Sequence, residues 1–193
     1  MRILGVDPGS RLTGFGCIDS TGNHIVHIAN GTLKLSNTSG KATIPLEERL
    51  FSIYTGLSKV ICTYKPDVLA VEKVFFAKNA VSALKLGQAR GAVILTGMIH
   101  SLKIFEYSAT EVKLVVVGHG QAGKDRVASA VKLLLRCGDF PTADASDGLA
   151  LAMCHAYMTK IDWLGVSGGK KKRLSLAESL GVEYAKNKVG EFR

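Results

Sequence analysis

Residues 3–6 read Ile-Leu-Gly-Val, an apolar strand that stops on Asp7 and turns at once through Pro8 and Gly9. Thr13 to Asp19 predicts a second strand, Gly22-Asn23 a turn, and the alternating, β-branched stretch from His24 to Leu35 a third, so the chain opens as a meander. The Ser/Thr/Asn/Gly-rich residues 36–43 predict a loop. A helix with Pro45 in its first turn follows to about Tyr64, its apolar positions Leu46, Leu50, Ile53, Leu57, Val60 and Ile61 keeping the rhythm of a core-facing stripe. Lys65-Pro66-Asp67 ends it. Val68 to Val71 is then a continuous apolar run, the pattern of a central strand covered on both faces, and it delivers Glu72.

Asn79 to Leu102 predicts a long helix that carries Gly87, Gly91 and Gly97. Each glycine costs a helix interior about 1 kcal/mol relative to Ala. That implies close approach of another backbone, within the fold or across a dimer interface, or else a weak helix held by tertiary packing. A strand over Ile104–Tyr107, a helix over Ser108–Val117 capped by Ser108, and a helix with Val127, Val131, Leu134 and Leu135 on its apolar face complete the middle of the chain. A final helix is expected from about Asp144 to Tyr157. A meander followed by alternating helices and strands implies an α/β protein with a mixed central sheet flanked by helices. That is the element order of a ribonuclease H-like fold.

Length and composition narrow the class. At 193 residues and 47% hydrophobic, the chain can bury one substantial core, expected over residues 1–160, with residues 161–193 as a basic, flexible C-terminal tail containing Lys170-Lys171-Lys172-Arg173. The apolar stretch from Gly91 to Ile99 is broken by Thr96 and Gly97 and falls far short of the roughly 18 residues of a membrane span. The start of the chain leaves no room for a secretory signal before the Asp7 strand, and Cys17, Cys62, Cys137 and Cys154 form no close pair, each among apolar neighbours. A cytoplasmic protein with buried free thiols and no membrane contact is expected. Net charge is +9, of which the tail carries +3 and the body +6. A basic body that gathers acids at one point suits a polyanion, with a metal site inside the basic field.

The acids come from three distant segments: Asp7, Glu72, and the pair Asp144 and Asp147. Three residues apart on a helix, the last two have Cβ atoms about 5–6 Å apart on one face. Ala145, Leu149, Ala152, Met153 and Ala156 form a different, contiguous face for burial. Taken alone, that helix also permits Asp144 as an N-cap and Asp147 as its capping-box partner. The coincidence with two acids at strand ends favours a shared site. Clustered carboxylates repel, so a fold that assembles four of them does so to hold divalent metal. An all-oxygen set selects Mg²⁺ or Mn²⁺ over zinc. Two such ions about 3.5–4 Å apart serve phosphodiester hydrolysis. His155, eleven residues beyond Asp144, lies about 16 Å along the helix and is expected to pack rather than ligate. Gly118 to Lys124 lacks the spacing of a nucleotide-binding loop and the Ser/Thr after Lys.

Ile3 to Gly16 (ILGVDPGSRLTGFG), Val71 to Gly91 (VEKVFFAKNAVSALKLGQARG) and Asp144-Ala145-Ser146-Asp147 strongly resemble the RuvC family of crossover junction endodeoxyribonucleases, in order over about residues 1–158. The resemblance implies a homodimer that resolves four-way Holliday junctions by paired symmetric nicks, with Mg²⁺, in DNA recombination and repair. It implies Asp7, Glu72, Asp144 and Asp147 as metal-binding catalytic carboxylates. It also assigns Phe75 to stacking on a junction base and Lys113 and Lys124 to DNA near the cut. Lys78, beside Phe75, adds a cation to that aromatic platform. RuvA and RuvB branch-migration proteins are the implied partners. Lys73 stands where many members of the family have Gln, and the tail is longer and more basic than the family core requires. Three rivals remain at this point: a nuclease of the same fold acting on other nucleic acids, a noncatalytic junction binder, and an actin-like ATP-binding relative, which needs a second lobe that this length does not supply.

Overall fold

The computed structural model describes residues 1–9, 11–35, 44–73, 80–138 and 142–163, with the side chains of 143 and 161–163 excepted. The expected loop over 36–43, the Phe75 and Lys78 segment and residues 164–193 lie outside the described residues. Strands β1 (Arg2–Asp7), β2 (Leu12–Thr21) and β3 (His24–Lys34) form the meander, followed by α1 (Leu46–Tyr64), β4 (Val68–Glu72), α2 (Ala80–Ile99), β5 (Lys103–Tyr107), α3 (Ala109–Val117), α4 (Lys124–Leu135) and α5 (Ala143–Trp163). The sheet order is β3-β2-β1-β4-β5. β1 runs antiparallel to β2 and parallel to β4, and β4 runs parallel to β5. This is the mixed, helix-flanked sheet that the element order implies.

Alternation along the strands divides the core into two layers. Leu4, Val6, Leu69 and Val71 face α1 and α2, where they meet Ile53, Leu57, Ala89 and Val93. Ile3, Val68, Ala70 and Tyr107 face α3, α4 and α5. The ends of β1 and β4 reach the same level, since Val6 pairs with Val71. Asp7 and Glu72, the next residues on each strand, therefore emerge side by side on the α5 layer.

α5 differs from its expected form in two respects. It runs on to Trp163, past the expected end near Tyr157. It also has no solvent-facing side over most of its length: Ala145, Ser146 and every residue from Gly148 to Ala156 are buried. The single apolar face anticipated from Ala145, Leu149 and Ala152 is too narrow a description, because α3 and α4 roof the helix that the sheet floors. The floor is made of glycines. A Cβ on Gly5 would lie 2.0 Å from the Gly148 carbonyl oxygen, one on Gly14 would lie 2.0 Å from that of Asp144, and one on Gly16 would lie 2.4 Å from the Leu149 nitrogen. α5 thus rests directly on the strand backbones.

The smaller expectations divide. Ser108 caps α3 in a full capping box with Glu111. Cys17 and Cys154 are buried, whereas Cys62 is exposed and Cys137 half-buried, so the apolar neighbours of Cys62 in sequence do not become its neighbours in space. On α2, Gly97 packs against Leu69 and Ile104, while nothing lies within 4 Å of a Cβ placed on Gly87 or Gly91. Among the described residues no helix is long and apolar enough to cross a membrane.

Candidate active site

Three elements deliver the carboxylates. Asp7 ends β1 and Glu72 ends β4, and the first two turns of α5 carry Asp144 and Asp147. Oxygens of Asp7, Asp144 and Asp147 lie within 4.8 Å of one another. Glu72 stands close enough for its charge to act on Asp7. The capping alternative for Asp144 does not hold, because the Thr142 hydroxyl accepts the Ala145 N–H at 3.3 Å, as a cap does. Asp144 is left free to face Asp7.

The electrostatics follow from this crowding. Asp7 is pushed up to about 8, first by burial, then by Glu72 and by the charge of Asp147, with Lys124 pulling the other way. Lys124 is the counterweight. Its side chain is 74% exposed and its ammonium sits 3.3 Å from Asp147 Oδ2; the charge of Asp147 raises its pKa, with Asp7 and Asp144 adding to the effect. Asp7, Glu72, Asp147, Lys113 and Lys124 line one cleft, whose wall is Val112, Val127 and Leu151. Two lysines, of which Lys124 is ion-paired with Asp147, against four acids leave the cluster short of positive charge at neutral pH. An all-carboxylate donor set around a proton held this far above its usual range fits a hard divalent cation.

Comparison with known proteins identifies the family. The family model described as "Crossover junction endodeoxyribonuclease RuvC" matches residues 3–155. The chain belongs to the RuvC family. The RuvC of Syntrophotalea carbinolica is 50% identical over 157 residues, covering 81% of this chain and 94% of that one. The RuvC of Geobacter sulfurreducens is 53% identical over 156 residues, covering 81% and 92%. Among solved structures, Thermus thermophilus RuvC in complex with a Holliday junction substrate superposes with a TM-score of 0.75 at 27% identity, over 84% of this chain and 96% of that one. The yeast mitochondrial Holliday junction resolvase shares the fold, with a TM-score of 0.58 at 11% identity. The chain is thus an endodeoxyribonuclease of the RuvC type, on a ribonuclease H-like fold.

Of the eight residues singled out from sequence, Asp7, Glu72, Asp144, Asp147, Lys113 and Lys124 converge on this cleft. Phe75 and Lys78 lie outside the described residues. His155 packs, as its distance along the helix requires: Tyr107 bonds its Nδ1 at 2.7 Å and the Phe105 ring centroid lies 4.3 Å away. Sequence reasoning missed Gly5, Gly14 and Gly16, on whose backbones α5 seats. Their signal was present, since β2 carries glycines on alternate residues and β1 one in its middle, where they weaken a sheet unless another backbone approaches closely.

Proposed function

We propose that this chain resolves four-way Holliday junctions in DNA recombination and repair, each active site hydrolysing one phosphodiester so that a homodimer makes two symmetric nicks. The observation that carries the reading is the convergence of Asp7, Glu72, Asp144 and Asp147 beside Lys124, with Asp7 pushed up to about 8 by its neighbours. The four carboxylates would hold Mg²⁺, two ions per site, with Mn²⁺ able to substitute. When bound, the ions would supply Lewis-acid stabilisation of the crowded phosphodiester and activation of the attacking water. The chain's own side chains do the rest. Lys124 and Lys113 set the rim potential that draws a scissile phosphate towards the carboxylates, and Val112, Val127 and Leu151 form the apolar wall that raises the strength of every charge interaction inside. Phe75 would stack on a junction base, with Lys78 on the adjoining phosphate.

The pairing surface is assigned to α2. Val81, Leu84, Leu95, Met98 and Ile99 are each more than half exposed, and the bare backbones of Gly87 and Gly91 lie between them. An apolar stripe of that kind on a basic protein suits a second copy of the same helix across a two-fold axis. The symmetric product requires that two-fold. RuvA and RuvB are the partners that the family relationship favours, and the cytoplasm the compartment.

The test is cleavage of a labelled synthetic four-way junction beside linear duplex in Mg²⁺, with Asp7→Asn as control. Paired symmetric nicks in the junction alone, absent from the variant while binding persists, are expected. Equal cleavage of both substrates would point to a general nuclease, and binding without cleavage to a noncatalytic junction binder. Light scattering that gives a monomer at working concentration would remove the basis for paired nicking.

A further inference from the structure

Among the described residues of α2, Arg90 reaches the end of β4 that carries Glu72. Arg90 shares a helical face with Val93 and Gly97, and Gly97 is pressed against Leu69 of β4 and Ile104 of β5. Seven residues back along α2 is about 10 Å, and three residues forward along β4 is also about 10 Å. The close contact at Gly97 therefore sets Arg90 over the end of β4. There its Nε donates to the Glu72 carbonyl oxygen at 3.3 Å, and its Nη2 bonds Glu106 Oε1 on β5.

The other end of the same peptide unit is also held. The Lys73 N–H donates to the Tyr107 carbonyl oxygen at 2.8 Å. Because the Glu72–Lys73 peptide is planar, bonds to its oxygen and to its nitrogen together fix the torsion that aims the Glu72 side chain. β5 is tied in turn to α5, the helix of Asp144 and Asp147, by the Tyr107 hydroxyl on His155. Glu72 itself lies one step beyond the last β1–β4 pair, Val6 with Val71, so the ladder on that side does not orient it.

We propose that Arg90 is a positioning residue for the reaction: its guanidinium clamps the Glu72–Lys73 peptide and so aims the Glu72 carboxylate at Asp7. The proposal rests on the assignment of Glu72 to the metal-binding set. A guanidinium is suited to the task because its fork reaches a carbonyl and a carboxylate at once, which a lysine ammonium at the same place does not. As an ion pair alone the contact would achieve little. The side chains of Arg90 and Glu106 are 25% and 36% exposed, and pairs so open to water contribute weakly to stability.

The experiment compares Arg90→Gln, Arg90→Lys and Glu72→Gln with the parent protein by three readouts. These are Mn²⁺ affinity without DNA, by calorimetry; the single-turnover rate on saturating four-way junction; and junction affinity in chelator. Both Arg90 variants are expected to lose about tenfold or more in Mn²⁺ affinity and in rate, the range for groups that orient ligands, with junction affinity in chelator within about twofold. Should Arg90→Gln fail to fold, Arg90→Lys carries the test, since it keeps the charge beside Glu106 and loses only the fork. Parent-like Mn²⁺ affinity and rate in Arg90→Lys would overturn the clamp, leaving a charge pair. Glu72→Gln separates the two failures. If it binds Mn²⁺ and cleaves as the parent does, the assignment of Glu72 falls and the clamp with it. If it loses both while the Arg90 variants lose neither, the clamp alone is overturned.

Discussion

α2 and α5 are nearly equal in length, 20 and 21 residues, and glycine is part of how each packs, yet they sit in opposite ways. α5 turns no side to water between Gly148 and Ala156 and lies on the glycines of β1 and β2. α2 buries one narrow face, Ala89, Val93, Thr96 and Gly97, and turns Gly87, Gly91 and its largest apolar side chains outward. The difference follows from what each helix has to deliver. α5 must bring two carboxylates against a third at the end of β1, which requires backbone-to-backbone contact at a fixed axial position. α2 covers β4 and β5 and holds Arg90 at the end of β4, both from its inner side, so its outer side is available for another molecule.

The comparison breaks most severely at the carboxylates. Asp144→Asn is expected to remove several kcal/mol of transition-state stabilisation, on the order of 10³-fold or more in single-turnover rate, with junction binding retained. A comparable loss from any change on the outer face of α2, measured on a preformed dimer, would contradict the division. Next comes the glycine floor. Gly16→Val would force a side chain into the backbone of Leu149 and should cost about 3 kcal/mol or more in urea unfolding. Gly91→Ala, with open space around it, should instead stabilise the monomer by up to about 1 kcal/mol. Equal effects at the two positions would mean that α5 does not rest on the strands as described.

The outer face of α2 gives the third test. Leu95→Glu should leave the fold within about 0.5 kcal/mol while weakening self-association by about 2 kcal/mol, read by analytical ultracentrifugation. An unchanged dimer would move the pairing surface elsewhere.

Two smaller effects concern the titrating groups around α5. In metal-free protein the folded state holds the Asp7 proton up to about pH 8, whereas the unfolded chain releases it near pH 4. Stability contributed by this group is therefore full at low pH and lost as pH rises from about 4 through 8. Asp7→Asn should remove that slope, make the chelated protein more stable than the parent at pH 8, and abolish cleavage. His155 works in the opposite sense. Burial lowers its pKa to about 4, so its contribution is complete above about pH 6.5 and is lost as pH falls towards 4. His155→Gln should flatten that limb of the acid unfolding profile by about 1 kcal/mol at pH 5.

What the sequence determined by itself is whatever depends on local pattern. The apolar run into Asp7, the continuous run into Glu72 and the three-residue spacing of Asp144 and Asp147 fix side-chain direction within a single element, where a period of two or of three to four residues suffices. The same holds for the Ser108 cap and for the axial distance that kept His155 out of the site. The tertiary structure decided what depends on two elements at once. Whether Thr142 or Asp144 caps α5, whether Cys62 is covered, and which of the α2 glycines packs inward are not written in any one segment. Nor is the clamp of Arg90 on Glu72, for its two partners are backbone and side chain on strands that only the sheet order brings together. The depth at which α5 lies was in the sequence as glycines in β1 and β2, but an absent side chain acquires meaning only from the backbone that fills its place.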